Sequence, residues 1–333
     1  MPHNPGMTTT LGSDADTGSL TGGAPLFATL ANRPRLAAAT GAICIAFSGI
    51  IFRVAGVGPS TATFWRCLIA LPLLWALTRM EDARFGPRSA RERRWALVAG
   101  LFFAADLECF HSAVTLVGAG LGTTLPNLQV ISVALATWWL FGERPPVRAV
   151  AAVPMVLAGV ILISGVLDSE AYGSNPVLGA VLGVCAGLAY SGFLVIIRGV
   201  SRDRRRAAGP LRDATLATTI AVLPFGLTVG GLDLWPGWPA LGWLALLAVT
   251  SQVLGYLFIT LSLPRLPSIV SSLLLFVQPV ATVFFAGLLL AERPSPLQLL
   301  GVGLVLGGGG AAALPLRRML RAGRRPAAAE KAP

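Results

Sequence analysis

Two stretches decide how this chain is read: "NLQVISVALATWWLFGERP" at 127–145 and "FVQPVATVFFAGLLLAERP" at 276–294. A shift of 149 residues lays Gln129 on Gln278 and Glu143–Arg144–Pro145 on Glu292–Arg293–Pro294. The same shift lays Gly159 on Gly308. Earlier in each half, "AFSG" (46–49) echoes "AYSG" (189–192) in the same order. The chain therefore reads as two related halves, spanning 35–167 and 177–315.

Both repeated stretches are apolar, and so is most of the rest. The 333 residues are 54% hydrophobic and 12% charged, with mean hydropathy +0.72. Soluble domains carry roughly a quarter charged residues. Apolar runs of about 18 or more residues read as membrane-crossing helices. Breaks between the runs predict ten spans, near 36–56, 60–78, 95–117, 119–141, 149–167, 177–197, 214–232, 239–263, 266–290 and 296–315. The expected fold is all-α and polytopic, ten transmembrane helices arranged as two inverted five-helix repeats. The inversion follows from counting. Five helices per half is an odd number, so the second half enters the membrane from the opposite side, as in many secondary transporters.

Charge sets the expected orientation. Six arginines lie in 79–94, six in 198–212, and five plus Lys331 after residue 315. With the bases of the N-terminal tail and of the 142–148 and 264–265 turns, 23 of 26 basic residues fall on alternate connections. Basic loops stay cytoplasmic, so both termini are expected inside a bacterial inner membrane, with 1–34 a disordered cytoplasmic tail and 316–333 a basic one. Trp75, Trp95, Trp138 and Trp139 would mark one interface, Trp235 and Trp238 the other. A net charge of +11 so distributed is an orientation signal, and no nucleic-acid partner is expected. Cys44, Cys67, Cys109 and Cys185 all lie in spans without paired spacing and read as free thiols.

Within the third span, "ADLECFH" (105–111) places three ionisable groups in an apolar run. Such groups are costly in a bilayer and usually face a bundle interior or water-filled cavity. Glu108 and His111, three apart, share a helix face, suited to solute or proton handling. Asp106 points elsewhere, and Arg66 in the second span lies at a depth from which it would pair with Asp106 or Glu108. The competing expectation is structural: an Arg66–Asp106 pair that only ties two helices. Asn127, Gln129, Gln252 and Gln278 offer amides to a polar solute, or serve merely as interhelical hydrogen bonds, worth about 0.6 kcal/mol each. Pro126 and Pro279 predict helix kinks. No metal or cofactor is expected, since His111 has no second histidine nearby and no set of ligands at metal-binding spacing accompanies it.

The double Glu-Arg-Pro turn, the Gln278–Pro279 pair, "RCLIALPLL" (66–74) and the G-V-x-L-x-L-G-G ending at 301–308 resemble the drug/metabolite transporter superfamily, in its ten-helix EamA-type branch. The likeness covers about 38–313. It implies alternating-access transport of a small metabolite, with no ATP site. The expected partners are a small-molecule solute, the lipid bilayer and protons as a coupled ion. The expected function is secondary-active transport, with export of a metabolite or amino-acid-like solute favoured. Two alternatives are an intramembrane enzyme using Asp106, Glu108 and His111, and a non-transporting accessory protein; solute flux separates transport from both.

Overall fold

A chain in hydrocarbon must satisfy its backbone N–H and C=O groups internally, and this one does so with helices. The computed structural model describes residues 33–142, 147–200, 206–262, 266 and 268–313. Its elements are α1 (Pro34–Ala46), α2 (Ser48–Ala55), α3 (Pro59–Phe85), α4 (Ala90–Thr124), a 3-10 turn (Leu125–Leu128), α5 (Gln129–Phe141) and α6 (Val147–Ile163). The second half contributes α7 (Pro176–Val200), α8 (Ala208–Thr228), α9 (Trp238–Leu247), a π-helical segment (Ala248–Gly255), α10 (Tyr256–Ser262), α11 (Ser268–Leu290) and α12 (Pro296–Ala313). No strand occurs among the described residues. Five stretches there are long and apolar enough to cross a membrane: Pro34–Ala55, Pro59–Phe85, Ala90–Val133, Pro176–Ile197 and Trp238–Ser262. Three shorter apolar helices accompany them. The two tails and Glu143–Arg144–Pro145 lie outside the described residues.

The expected break between the third and fourth spans falls where the sequence put it, at Gly118. Its φ of 86° and ψ of 168° belong to a region essentially reserved for glycine. Breaking the helix frees two N–H donors, and Glu292 takes both. Its carboxylate accepts from Ala119 N at 2.7 Å and Gly120 N at 3.0 Å. The acid of the second Glu-Arg-Pro turn thus caps the helix that opens the other copy of the repeated stretch.

A second acid moves a boundary. The seventh span was expected from about 214, but α8 starts at Ala208. Glu81, at the end of α3, accepts the N–H groups of Ala207, Ala208 and Gly209 at 2.9, 2.8 and 2.9 Å. A carboxylate set against the positive end of a helix lets the helix begin inside what otherwise reads as a basic loop. Likewise α3 continues past the expected 78 to Phe85: Arg79, Glu81, Asp82 and Arg84 end the apolar run without ending the helix. The expected eighth span contains the π segment, and the first is broken at Phe47 between α1 and α2.

Small residues bring the helices together. At the α6–α12 crossing, a Cβ on Gly159 would stand 2.7 Å from the Gly301 carbonyl oxygen, and one on Gly301 would stand 2.7 Å from that of Gly159. Thr218 Oγ1 of α8 donates to the Gly100 carbonyl of α4 at 2.9 Å. The four cysteines are free.

Gly118→Ala should lower the melting temperature of the purified protein, since a non-glycine residue in that backbone region costs about 1–3 kcal/mol. Gly303→Ala, where a Cβ meets nothing within 4 Å, should be neutral. Equal effects of the two substitutions would remove the special role of the break.

Candidate functional site

Three-residue steps along α3 place Ser60, Thr63 and Arg66 on a slowly turning stripe, and α4 presents Glu108 and His111 beside it. The centre is Arg66, only 1% exposed. Its Nη1 donates to Ser48 Oγ of α2 at 3.3 Å and lies 3.4 Å from His111 Nε2. Its Nη2 donates to Ser251 Oγ at 3.2 Å and to Gln252 Oε1 at 3.0 Å, both in the π segment. Gln252 Nε2 continues to Thr215 Oγ1 of α8 at 3.1 Å. One guanidinium therefore gathers α2, α3, α4 and the π segment, with α8 joined through Gln252.

The hydrogen-bond directions around His111 can be worked out. Thr63 Oγ1 gives its single proton to the Pro59 carbonyl at 3.0 Å. It must then accept from His111 Nδ1, 2.8 Å away. That leaves the Nε2 lone pair facing Arg66. His111 is fully buried, and its ring centroid stands 4.6 Å from that of Phe52.

Glu108 Oε2 accepts from Ser60 Oγ at 2.7 Å, while its Oε1 is buried without a hydrogen-bond partner. Arg66 Nε is likewise unpartnered. Buried polar atoms in this state are uncommon.

Two expected pairings are corrected. Arg66 does not pair with Asp106 or Glu108: among the described residues no ion pair joins it to a carboxylate. Its guanidinium is drawn instead towards α2 and the π segment, where several neutral acceptors converge. Glu108 and His111 do share a face, but they do not bond each other, because hydroxyls of α3 reach both first. Asp106, 6% exposed, is within electrostatic reach of Arg66, Tyr190 and Tyr256. Those tyrosines pack with Phe103 and Phe193.

The remaining amides divide. Gln252 belongs to the cluster. Asn127 folds back on its own helix end, donating to the carbonyls of Thr123 and Thr124. Gln129 is half-buried with Oε1 unpartnered, and Gln278 is half-buried beside Pro279; neither bonds to the Arg66 cluster. Pro126 sits in the 3-10 turn and Pro279 inside α11. Residues not singled out from sequence are Ser48, Ser60, Thr63, Thr215 and Ser251. Only Ser48 carried a signal, as part of the "AFSG" echo.

A family model described as the EamA-like transporter family matches twice, over residues 33–165 and 177–310. The chain belongs to that family. Among curated relatives, the uncharacterized transporter YcbK of Bacillus subtilis (strain 168) is 23% identical over 282 residues, covering 79% of this chain and 87% of YcbK. The uncharacterized transporter sll1319 of Synechocystis sp. is 24% identical over 278 residues, covering 77% and 81%. A solved crystal structure, 21% identical, matches with a TM-score of 0.58 over 85% of this chain and 99% of its own, a likeness of fold. This EamA-like chain is a membrane transporter by family, and the Arg66 cluster joins side chains from both matched halves.

Thr63→Val should leave the His111 Nδ1–H without an acceptor, a loss of about 1–3 kcal/mol. The melting temperature in detergent should fall, and Thr63→Ser should restore most of it. Equal stability of the valine and serine proteins would show that the hydroxyl contributes nothing.

Proposed function

We propose that the chain is a secondary-active transporter that moves a small polar solute by alternating access, with the Arg66 cluster as its recognition site. One observation carries this reading. A fully buried guanidinium is met only by hydroxyls, an amide and an imidazole, with Arg66 Nε and Glu108 Oε1 still open. A site confined to holding helices together would favour a carboxylate opposite the arginine. An arginine satisfied by weaker neutral acceptors can exchange them for an acceptor on a solute, such as a carboxylate, at little cost, while Glu108 takes a donor such as an ammonium group or a proton. That combination suits a metabolite of amino-acid-like chemistry, and export is the direction favoured.

Ten spans in two inverted five-helix halves give this mechanism its symmetry. The twofold family match and the 149-residue offset support that arrangement. So does the packing at the α6–α12 crossing, where Gly159 faces Gly301 and the positions equivalent to them under the same offset, Gly308 and Ala152, face each other as well. The alternation of basic loops supports a bacterial inner-membrane protein with both termini in the cytoplasm. In a background lacking the four cysteines, Ala171→Cys should then react with an impermeant label from outside, and Arg84→Cys only after permeabilisation. The reverse pattern would overturn the orientation.

Flux tests the site. In proteoliposomes loaded with pooled metabolites, Arg66→Gln should reduce transport of the responding solute by about 10- to 100-fold, the equivalent of losing hydrogen bonds to a charged group. Glu108→Gln should flatten the dependence of flux on pH. Wild-type flux from Arg66→Gln protein of normal abundance would refute the assignment.

A further inference from the structure

A separate feature lies at the arginine-rich end of the bundle. A groove with a volume of about 540 Å³ opens between α3, the start of α4 and α8. Its walls are Leu68, Leu71, Leu97 and Leu216, and its polar end is formed by Arg93, Arg212 and Asp213. Asp213 is already committed: Arg88 Nη2 binds one of its oxygens at 2.6 Å, and Arg212 binds the other at 2.5 and 2.9 Å. Two guanidiniums therefore already share the one carboxylate, and Arg93 lies in the same lining. Arg93 is exposed and has no ion pair among the described residues. Glu92, next to it, is engaged with the Ser89 backbone in a capping box. Arg88, with a side chain only 5% exposed, keeps Nε and Nη1 buried without an acceptor.

Trp75 closes the same end. It lines the groove, and the Arg79 guanidinium lies over its ring at 4.4 Å, as expected of a side chain anchored at headgroup level. Pro72, also in the wall, has no N–H to give the Leu68 carbonyl one helical turn back. An apolar trough whose polar end carries more arginine than carboxylate, beside an interfacial tryptophan, matches one class of molecule, with two acyl chains and a phosphodiester head.

We infer that this groove binds an anionic phospholipid, its acyl chains along Leu68, Leu71, Leu97 and Leu216 and its phosphate on Arg93 and Arg212. Basic pockets between membrane helices hold acidic headgroups through this chemistry. The site is remote in composition from the Arg66 cluster and shares no residue with it. It binds lipid whether or not the solute assignment above is correct.

The test uses the full chain in nanodiscs of mixed phosphatidylcholine and phosphatidylglycerol, followed by native mass spectrometry of lipids that remain on the protein. Wild type should retain phosphatidylglycerol preferentially. Arg93→Gln should lower that retention about fivefold, the effect of one interfacial charge. Leu97→Trp, which fills the trough and keeps every arginine, should lower it too, while Arg53→Gln at the α2 end should leave it unchanged. Equal retention of the two lipids by wild type, or no loss in both Arg93→Gln and Leu97→Trp, would overturn the inference. Displacement of phosphatidylglycerol by inorganic phosphate alone would also overturn it, since the acyl wall would then contribute nothing.

Discussion

A guanidinium cannot shed its charge inside a membrane protein, and the polar groups around Arg66 are arranged by where it is held. Burying an ion among apolar helices costs several kcal/mol unless hydrogen bonds replace its water. Ser48, Ser251, Gln252 and His111 supply them, one or two from each surrounding element. The requirement propagates outward. His111 must present Nε2, so Thr63 must accept at Nδ1. Gln252 must turn its carbonyl oxygen to Arg66, so its amide hydrogens point to Thr215. The π segment is what carries Ser251 and Gln252 to the guanidinium side by side, and such bulges recur at functional sites.

Two glutamates in this chain are used differently. Glu292 and Glu81 both bind helix N-termini, each far away in sequence, and neither neutralises an arginine through the hydrogen bonds it makes. Each converts a helix end, with its unbonded N–H groups, into a joint between distant segments. Glu292 couples the α11–α12 turn to the break in α4, and Glu81 couples the end of α3 to the start of α8. Acids spent on backbone donors leave the central arginine free for neutral and exchangeable partners.

Much of this was readable from residue order. Membrane class and family followed from apolar runs and the duplicated Glu-Arg-Pro turn, and Gly118 fell between the two expected spans because glycine there is a backbone requirement. The start of α8 was misplaced because its determinant, Glu81, lies 127 residues away from Ala208. The partners of Arg66 were misassigned for a related reason. Opposite charge at matching depth favours Asp106 or Glu108, yet the acceptors that win are a serine from α2 and a serine–glutamine pair from the π segment. A serine in an apolar helix carries no mark of which neighbour it faces, so Ser251 was silent and Ser48 was marked only by the repeated "AFSG", while Arg66, Glu108, His111 and Gln252 were conspicuous.

The most direct test of the central claim is binding without transport. Metabolites screened by thermal shift against the detergent-purified wild type should include solutes with a carboxylate or similar acceptor that raise the melting temperature. Arg66→Gln, folded and of comparable basal stability, should lose that rise for the same solutes. An identical solute-dependent rise in both proteins would place recognition elsewhere and leave Arg66 as a purely structural charge.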